Sequence, residues 1–574
     1  MLPVTPPASW DAATVRELLV EAKGELGTPW PVLLGHEYAR YHRDGDRDAY
    51  ERIVRVREAR TSRAAVAAAV TGDPRWIDEA GDGVLLLCEQ SSWCWPAHDD
   101  TFTRHGSVLP TVTDPYLDLG AGEVAGQLAW IDRLLGAAFD ERLPGLRERI
   151  RYETDRRVLT PFLVRTDWHW LGLDGHVNNW NPWVHGNLLA ATLQLVDDPG
   201  RRTELITRIT EGLDRYAASL PPDGAIDEGY SYWWNGACRL LEADELLDRP
   251  TVRAAVAFPH RVHLGGAWYL NHADGPARPD DAVPWDALHR AARRVGDVEA
   301  EAHAAAHRRP GEPVADLRLG LGRLLRALGD PDWAAAVPGP SPLPRRVWFP
   351  STQVFLARPT AGRTDGLTLA VKGGHNDESH NHNDLGSVLV AVDGVPTLID
   401  PGRPTYTAQT FGPDRYDIWT MRSAWHNTPT VGGVEQSPGR AQAAVVLDRD
   451  DNGLTLDLTA AYPGAGLQSW TRTARLHDDG TVTVTDSWQL DPQPAAPTVI
   501  HWIAAGDVVC RPGQAEIGTL RLTWTPPVPA SLTVRELDDP MLTAVWGDRL
   551  TRLDLDVSGL GPAGTLDLIV KEHR

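Results

Sequence analysis

The spacing of apolar residues changes once along this chain, at the proline-rich stretch VPGPSPLPRR from 337 to 346. From 11 to 330, apolar residues recur at three- and four-residue intervals, which is typical of helices separated by Pro and Gly stops. From 347 onward they alternate with polar residues, as in TVTVTDSW, which is typical of strands with one buried face. The change predicts a helical domain at 1–336, a linker at 337–346 and an antiparallel β domain, a sandwich, at 347–574.

The spacing of apolar residues does not determine how the helices of the first domain pack together. Its segments, among them 231–247 and 251–270, are each predicted as one continuous helix. Repeated helical hairpins of this kind suit a helical solenoid and an incomplete (α/α) toroid equally well.

Composition narrows the class of partner. A chain of 574 residues is too long for one core, and 42% apolar with 23% charged residues is typical of a globular protein. The net charge of −22 disfavours nucleic acid and a long groove for a highly sulfated polymer. A small acidic oligosaccharide held by a few Arg residues remains compatible. The 23 Trp residues suit stacking on sugar rings, although core positions would account for many of them.

The termini and the cysteines bear on location. The N-terminal segment has no basic start followed by an apolar core, and no run of 18 apolar residues occurs, so neither a secretory signal nor a membrane span is expected. The four cysteines are scattered without a CxxC pair, which predicts buried thiols in a reducing compartment and no disulfide framework. We therefore expect a cytoplasmic protein. The sequence leaves the oligomeric state open, a homodimer included.

The most polar stretch of the β half lies at 372–407, KGGHNDESHNHNDLGSVLVAVDGVPTLIDPGRPTYT. It contains His375, His380 and His382 within eight residues. Two apolar runs follow, joined by Asp393-Gly394 and ending at Asp400. This pattern predicts a polar loop that leads into a β-hairpin with an Asp-Gly turn.

A metal site is one interpretation of these residues. The later element SAWHNTP places His426 26 residues beyond Asp400. His382, Asp400 and His426 supply two imidazoles and a carboxylate, which is a plausible set of zinc ligands. A hydrogen-bonded polar network without a metal is the alternative.

Three stretches of the helical half are both polar and aromatic, and we predict that they form binding loops. Structural roles are the alternative: turns and caps for Asn178 to Asn181, a core position for Tyr232, and packing roles for His98 and His185. The stretches are LCEQSSWCWPAHDD with Trp93 and His98, HVNNWNPWVHGNLL with Asn178, Asn179, Trp180 and His185, and PPDGAIDEGYSYWWNGA with Glu228, Tyr230 and Tyr232.

Three strings, HNHNDLGS, VDGVPTLIDPG and RYDIWTMRSAWHNTP, together resemble the heparinase II/III-like family of polysaccharide lyases, most specifically over 347–440. The resemblance implies a multidomain α and β fold, an incomplete (α/α) toroid followed by an antiparallel β-sandwich. It implies a structural Zn²⁺ on His382, Asp400 and His426, and His380 in the active-site cleft. It also implies a carbon–oxygen lyase that cleaves a uronic-acid-containing glycan by β-elimination.

The family pattern also suggests catalytic residues. An Asn in a loop of the helical domain and a Tyr after an acidic-Gly element map best onto Asn179 and Tyr232, with Asn178 and Tyr230 as competitors. β-Elimination needs the uronate carboxylate neutralised, the C5 proton removed and the leaving oxygen protonated. An amide can do the first, and a Tyr of lowered pKa or a His can move the protons. Where many members have His after the Asn, this chain has Trp180.

The histidine role is therefore predicted to pass to His185 or to rest on His380 alone. The substrate-binding residues expected beside them lie in four stretches of the chain. They are Trp93, His98, Asn178, Trp180, Glu228, Tyr230, Arg415 and Tyr416, with Arg358 as an alternative to Arg415 for holding a carboxylate. The metal is read as a brace for the loop, because β-elimination consumes no water.

Two other functions stay open. A glycoside hydrolase on an (α/α) toroid would use Asp227 and Glu228 as acid and base, although adjacent carboxylates on one chain generally diverge. A non-catalytic protein that binds an acidic oligosaccharide or polysaccharide would keep the fold without the chemistry.

Overall fold

The computed structural model describes residues 2–491 and 496–573 of the 574-residue chain. The chain divides into two compact units, each built from separate segments. The helical unit comprises Met1–Leu220, Trp234–Val256 and Asp281–Gly339, and the sheet unit comprises Pro221–Trp233, Ala257–Asp280 and Pro340–Arg574. The contiguous domains predicted from the sequence do not anticipate the two segments at 221–233 and 257–280 that belong to the sheet unit.

The helical unit consists of helices joined by short connections. Among the described residues no helix is long and apolar enough to cross a bilayer. The α-helices span Ala12–Glu25, Gly35–Tyr38, Arg40–Asp44, Asp48–Thr71, Pro74–Glu89, Thr101–His105, Leu119–Arg142, Leu146–Thr154, Thr160–Val164, Trp180–Leu195, Pro199–Ser219, Ala237–Leu246, Arg253–Val256, Trp285–Val295, Val298–Ala306, Leu321–Leu328 and Pro331–Ala334.

Helix starts coincide with the predicted Pro and Gly stops. Asp73 accepts a hydrogen bond from the N–H of Arg75 at 2.9 Å, and Pro74 is the first helical residue. Asp198 likewise accepts from the N–H of Arg201 at 2.7 Å, ahead of the helix that begins at Pro199. In both cases the side chain satisfies an N–H that has no partner within the helix, and Pro is tolerated because its missing N–H would be unpaired there.

Two predicted helices are interrupted. The segment 231–247 divides into Tyr230–Trp233 and Ala237–Leu246 around Asn235-Gly236. The segment 251–270 gives two short helices and then a β-hairpin, His263–Gly265 with Trp268–Tyr269. Gly265 and Gly266 have φ of +146° and +54°, which a helix cannot accommodate. The prediction of one continuous helix was wrong for both segments.

The sheet unit contains two large antiparallel sheets. In order across the first sheet, the strands are Val445–Arg449, Gly453–Asp457, Leu467–Leu476, Val482–Leu490, Ala563–Glu572, Leu520–Thr525, Gln514–Ile517 and Val508–Arg511. Across the second they are Ala530–Glu536, Arg549–Asp556, Val499–Ala505, Val395–Leu398, Val388–Val392, Leu367–Lys372, Val354–Ala357 and Arg346–Phe349, with Pro429–Thr430 beside Val499–Ala505.

Smaller elements complete this unit. Strand His375–Asn376 pairs with Gly439–Ala443, and the helices are Tyr230–Trp233, Phe258–Arg261 and Pro540–Trp546. One hydrophobic core includes Phe355 and Leu369 of the second sheet together with Trp470 and Leu566 of the first. The two sheets therefore pack face to face, as the alternating pattern predicts. Closure of the helices into a toroid stays a prediction.

The four cysteines are free thiols: Cys88, Cys94 and Cys238 are buried and Cys510 is partly exposed.

A buried ion pair ties the first sheet to two connecting segments. Arg472 and Asp486 lie opposite each other on neighbouring strands, 0% and 2% exposed. The guanidinium donates to both carboxylate oxygens, at 2.8 and 2.9 Å. It also donates to the carbonyl of Gly386 at 2.8 Å and to that of Asn427. Because Gly386 follows the HNHND string and Asn427 follows His426, this arginine holds the connections that carry the predicted site.

We expect Asp486→Ala to lower the free energy of unfolding by about 3–5 kcal/mol, because it leaves a buried, unpaired charge on Arg472. Urea denaturation would measure the change. Asp507→Ala is the matched control, since Asp507 pairs with Arg549 at the surface, 80% and 39% exposed. Its loss should cost less than about 1 kcal/mol. Equal losses for both variants would contradict the role given to the buried pair.

Candidate active site and metal site

The predicted hairpin is confirmed and positions the polar loop. Val388–Val392 pairs with Val395–Leu398, and the turn residues Asp393 and Gly394 have φ of +49° and +84°. Positive φ at both turn residues is the geometry that Asp-Gly favours in a two-residue hairpin loop. Asp400 lies two residues beyond the end of the second strand, so the hairpin brings it near His382, which precedes the first strand.

The three predicted metal ligands come together. One donor atom each from His382, Asp400 and His426 lies within 4.8 Å of the others, and all three side chains are buried. His426 Nδ1 lies 2.8 Å from Asp400 Oδ2. His382 Nδ1 and His426 Nε2 are buried and lack a hydrogen-bond partner among the described residues. Such atoms are costly unless something satisfies them, so these residues fit a divalent cation with nitrogen and oxygen ligands.

Asp274, which the sequence analysis did not single out, lies under this loop and is 0% exposed. Its Oδ2 atom is 2.8 Å from His380 Nδ1 and accepts from the Tyr406 hydroxyl at 2.8 Å. Its Oδ1 atom is 2.9 Å from His382 Nε2 and accepts from Arg415 Nη2 at 3.0 Å. Burial opposes ionisation, but the hydrogen bonds from the two histidines and the charge of Arg415 lower the pKa of Asp274 well below its usual range.

Tyr232 lies on the short helix Tyr230–Trp233 and packs against His380. The two rings are stacked, with centroids 4.1 Å apart. The hydroxyls of Tyr232 and Tyr406 form a short hydrogen bond. Because the Tyr406 hydroxyl donates its hydrogen bond to Asp274, Tyr232 is the donor in the Tyr232–Tyr406 hydrogen bond. Burial, and next the negative charge of Asp274, raise the pKa of Tyr232 above its usual value, so the phenol is neutral at pH 7.

His380 has an unusual backbone conformation. Its φ is +55°, a left-handed value that costs energy for a residue with a side chain, and such strain clusters at functional sites. The imidazole is held at Nδ1 by Asp274, and its Nε2 atom faces Glu228 Oε1 at 3.6 Å. The ring is 18% exposed, which leaves it accessible.

Two neighbours of Tyr232 differ in what they can do. Glu228 is buried, and burial together with the charges of Asp227 and Asp274 raises its pKa well above the usual range, which favours its protonated form. Tyr230 is 0% exposed and stacks on Tyr269 with centroids 3.9 Å apart. The predicted contact of Tyr230 with substrate was therefore wrong for this structure, because the ring is part of the core.

The predicted cations are used within the protein. Arg415 donates to the carbonyl of Asn381 at 3.0 Å as well as to Asp274. Tyr416 accepts from the Asn381 side-chain amide at 3.1 Å. Arg358 is 0% exposed and donates to the carbonyl of His263 at 2.7 Å, so the alternative role of Arg358 in holding a substrate carboxylate was wrong.

In the helical unit, Trp180 lies between two histidines, His98 at 4.3 Å and His169 at 4.9 Å between ring centroids. His98 Nδ1 is 2.8 Å from Asp118 Oδ2, which orients its ring. Asn178 accepts from the N–H of Trp180 at 3.1 Å, the local turn that was the alternative interpretation. Asn179 stands immediately before the helix Trp180–Leu195 and is 5% exposed.

Two residues predicted from this unit are core residues. His185 is 0% exposed, its Nδ1 lies 2.7 Å from the Asn181 carbonyl, and its ring packs on Phe162. Burial lowers the pKa of His185 to about 3, so the ring is neutral. Trp93 is 2% exposed and donates to the Leu87 carbonyl at 2.8 Å. Neither side chain can meet a substrate in this structure, so catalysis by His185 and binding by Trp93 were wrong predictions.

Sequence reasoning missed Asp274 and Tyr406. Asp274 lies in the run LNHADG, which follows the Gly265-Gly266 turn and begins at the end of the segment 251–270 that was predicted as helix. Tyr406 lies in GRPTYT, six residues beyond the predicted ligand Asp400. The nearness of Tyr406 to a predicted metal ligand was the available signal.

Comparison with known proteins finds a family match for part of the chain and similar folds for nearly all of it. Residues 343–541 match the family model described as heparinase II/III-like, C-terminal, which confirms the resemblance predicted from the HNHNDLGS string. No curated protein sequence matches the chain.

Solved structures resemble nearly the whole chain. A crystal structure of heparinase III is 13% identical, with 92% of this chain and 78% of that chain covered and a TM-score of 0.63. A mutant of the heparan sulfate lyase HepC from Pedobacter heparinus is 13% identical, with 97% and 83% covered and a TM-score of 0.60. A chondroitin AC lyase from Streptomyces coelicolor A3, in complex with chondroitin sulphate, is 12% identical, with 98% and 82% covered and a TM-score of 0.52. These likenesses establish a shared fold.

Proposed function

We propose that this protein is a polysaccharide lyase that cleaves a uronic-acid-containing glycan by β-elimination, because residues 343–541 match the heparinase II/III-like, C-terminal family model. The observation that carries the proposal is the stacked pair of Tyr232 and His380, whose hydrogen-bond partners converge on Asp274. A buried carboxylate that orients a histidine beside a tyrosine is suited to proton transfer.

The reaction needs two proton transfers and no water. A base removes the proton from C5 of the uronate, and the carboxylate at C6 takes up the charge that develops. The bond from C4 to the glycosidic oxygen then breaks, a double bond forms between C4 and C5, and an acid protonates the leaving oxygen. The protein must therefore offer an unprotonated nitrogen or oxygen and a protonated one within reach of one sugar.

The protonation states suit His380 as the base and Tyr232 as the acid. Asp274 accepts a hydrogen bond from His380 Nδ1, and in the neutral imidazole this leaves the lone pair on Nε2. The raised pKa of Tyr232 keeps its hydroxyl protonated, so it can turn from Tyr406 to a leaving oxygen. Of the two alternatives left open by the sequence, a tyrosine base with a lowered pKa and a histidine base, this assignment takes the histidine. Asn179 stays the sequence-based prediction for the amide that neutralises the substrate carboxylate.

The proposed substrate is an acidic glycan. The structural neighbours include a heparan sulfate lyase and a chondroitin AC lyase crystallised with chondroitin sulphate. The net charge of −22 favours a short oligosaccharide over a long sulfated polymer, because repulsion grows with the charge of the ligand.

We propose Zn²⁺ for the metal site, held by His382 Nδ1, His426 Nε2 and the Asp400 carboxylate. When bound, the ion would supply positive charge that fixes the three ligands and the loop that carries His380 and His382. Its role is structural, because the elimination requires no activated water. The buried, unpartnered nitrogens of the two histidines support this assignment.

We expect the wild-type protein to produce ultraviolet absorbance from the conjugated C4–C5 alkene on one member of a panel of uronate oligosaccharides. Tyr232→Phe keeps the ring that stacks on His380 but removes the acid, so kcat should fall by about 10²–10⁴-fold. His185→Leu is the control. Its imidazole is buried in the helical unit, so kcat should stay within about threefold of wild type. Initial rates at saturating substrate would measure both.

Two outcomes would contradict the proposed function. New reducing ends without alkene absorbance would favour a hydrolase that uses Asp227 and Glu228. Unchanged turnover in Tyr232→Phe would remove Tyr232 from the chemistry.

Metal analysis tests the zinc proposal. We expect about one zinc ion per wild-type chain after dialysis and near-complete loss in His382→Ala and Asp400→Asn, because each removes a ligand. His375→Ala is the control, since His375 lies on the short strand just before this loop and contacts Arg440 at 2.6 Å instead of joining the triad. Equal zinc content in all four proteins would contradict the site.

A further inference from the structure

We propose that Asp274 is a positioning residue that sets the proton positions of His380, His382 and Tyr406, and thereby couples the metal site to the reacting histidine. The proposal deepens the proposed lyase function and rests on it for its catalytic half. Its metal half stands on the geometry of Asp274 and the histidine triad alone.

The carboxylate of Asp274 is saturated with donors. Oδ2 accepts from His380 and Tyr406, and Oδ1 accepts from His382 and Arg415, all at 2.8 to 3.0 Å. A carboxylate has about four lone-pair sites for hydrogen bonds, so each site has one partner. Asp274 is fully buried, and water therefore does not compete for these positions.

This arrangement imposes opposite tautomers on two histidines that are two residues apart. An ionised carboxylate can only accept, so the ring nitrogen that faces it carries hydrogen in a neutral imidazole. His380 faces Asp274 with Nδ1, which leaves the lone pair on Nε2, the atom that faces Glu228. His382 faces Asp274 with Nε2, which leaves the lone pair on Nδ1, the atom available to a metal ion.

The same carboxylate sets the direction of the tyrosine pair. Tyr406 donates to Asp274, so its oxygen is free to accept from Tyr232. The proton of Tyr232 is thus held on the phenol oxygen and pointed along a defined direction before substrate arrives. One side chain therefore determines which atom is base, which is acid and which is ligand.

The backbone around Asp274 is also constrained by its contacts with neighbouring segments. Ala273 has φ of +54°, a strained value outside glycine. Asn271 donates to the backbone carbonyl of the metal ligand Asp400 at 2.9 Å. A Cβ on Gly229, between Glu228 and Tyr230, would lie 2.6 Å from the His272 carbonyl, so only glycine permits this close approach. The segment therefore contacts both the metal-ligand segment and the segment that carries Tyr232.

Asp274→Asn separates these effects, because an amide has one accepting and one donating side. Arg415 can only donate, so the amide oxygen should face Arg415 and His382, and the amide NH₂ should face His380 and Tyr406. His380 must then accept at Nδ1 and carry its proton on Nε2, which removes the base. His382 keeps its tautomer. We expect kcat to fall by about 10⁴-fold, as for a catalytic histidine forced into the wrong tautomer, with KM and zinc content close to wild type.

Asp274→Ala tests the metal half. Loss of the partner that orients His382 should weaken zinc binding by about 10–100-fold in a chelator competition with the metal-free protein. Thermal unfolding of both variants would show that they fold.

Asp554→Asn is the matched control. Asp554 accepts from a histidine and an arginine, as Asp274 does, with His501 Nδ1 at 2.6 Å and Arg552 Nη2 at 3.1 Å. A role limited to packing would give Asp554→Asn and Asp274→Asn similar losses of stability and little change in kcat. The proposal requires loss of kcat in Asp274→Asn alone.

Two results would overturn the inference. One is turnover of Asp274→Asn within about threefold of wild type. The other is wild-type zinc affinity in Asp274→Ala, a measurement that needs no substrate. If the wild-type protein cleaves no glycan of the panel, the proposed function fails, whereas the zinc competition still decides the metal half.

Discussion

A buried negative charge on Asp274 is the constraint around which the candidate site is built. Moving an ionised carboxylate out of water costs several kcal/mol unless hydrogen bonds and opposite charge replace the lost solvent. Here the compensation comes from His380 and His382, from Tyr406 and from Arg415, which lie more than a hundred residues away in sequence. The charge is stable only when these segments fold around it. The same contacts that stabilise the ionised carboxylate therefore also fix the geometry of the site.

The sheets supply the rigidity that this requirement needs. The loop begins before the hairpin strand Val388–Val392, and Arg472 holds its end through the Gly386 carbonyl while also holding the residue after His426. Residues His380 and Ala273 have left-handed backbones that cost roughly 1–3 kcal/mol each. A strained loop persists only where the surrounding structure over-determines it, and the buried pair Arg472–Asp486 and the Asp274 hydrogen bonds do so from two sides.

Features that depend on residues close in sequence could be predicted, whereas contacts between residues far apart in sequence could not. The Asp-Gly turn, the alternating strands and the His382, Asp400 and His426 triad follow from short patterns, and the structure contains them. Asp274 has no such pattern, because its partners come from another part of the chain and the run before it has helical spacing. The prediction for His185 was wrong for the opposite reason. It was based on closeness in sequence to Asn179, whereas packing against Phe162 and Trp170 buries the His185 ring in the core.

Burial also decides how the proposed chemistry divides between the two rings. A phenolate at Tyr232 would have to form in a poorly solvated place beside the negative charge of Asp274, and both effects favour the neutral phenol. The base role then rests on His380, whose lone pair is fixed on Nε2 by the same carboxylate. Because the two rings are stacked with centroids 4.1 Å apart and both are linked to Asp274 by hydrogen bonds, the proposed base and the proposed acid are held in fixed positions relative to each other before a substrate binds.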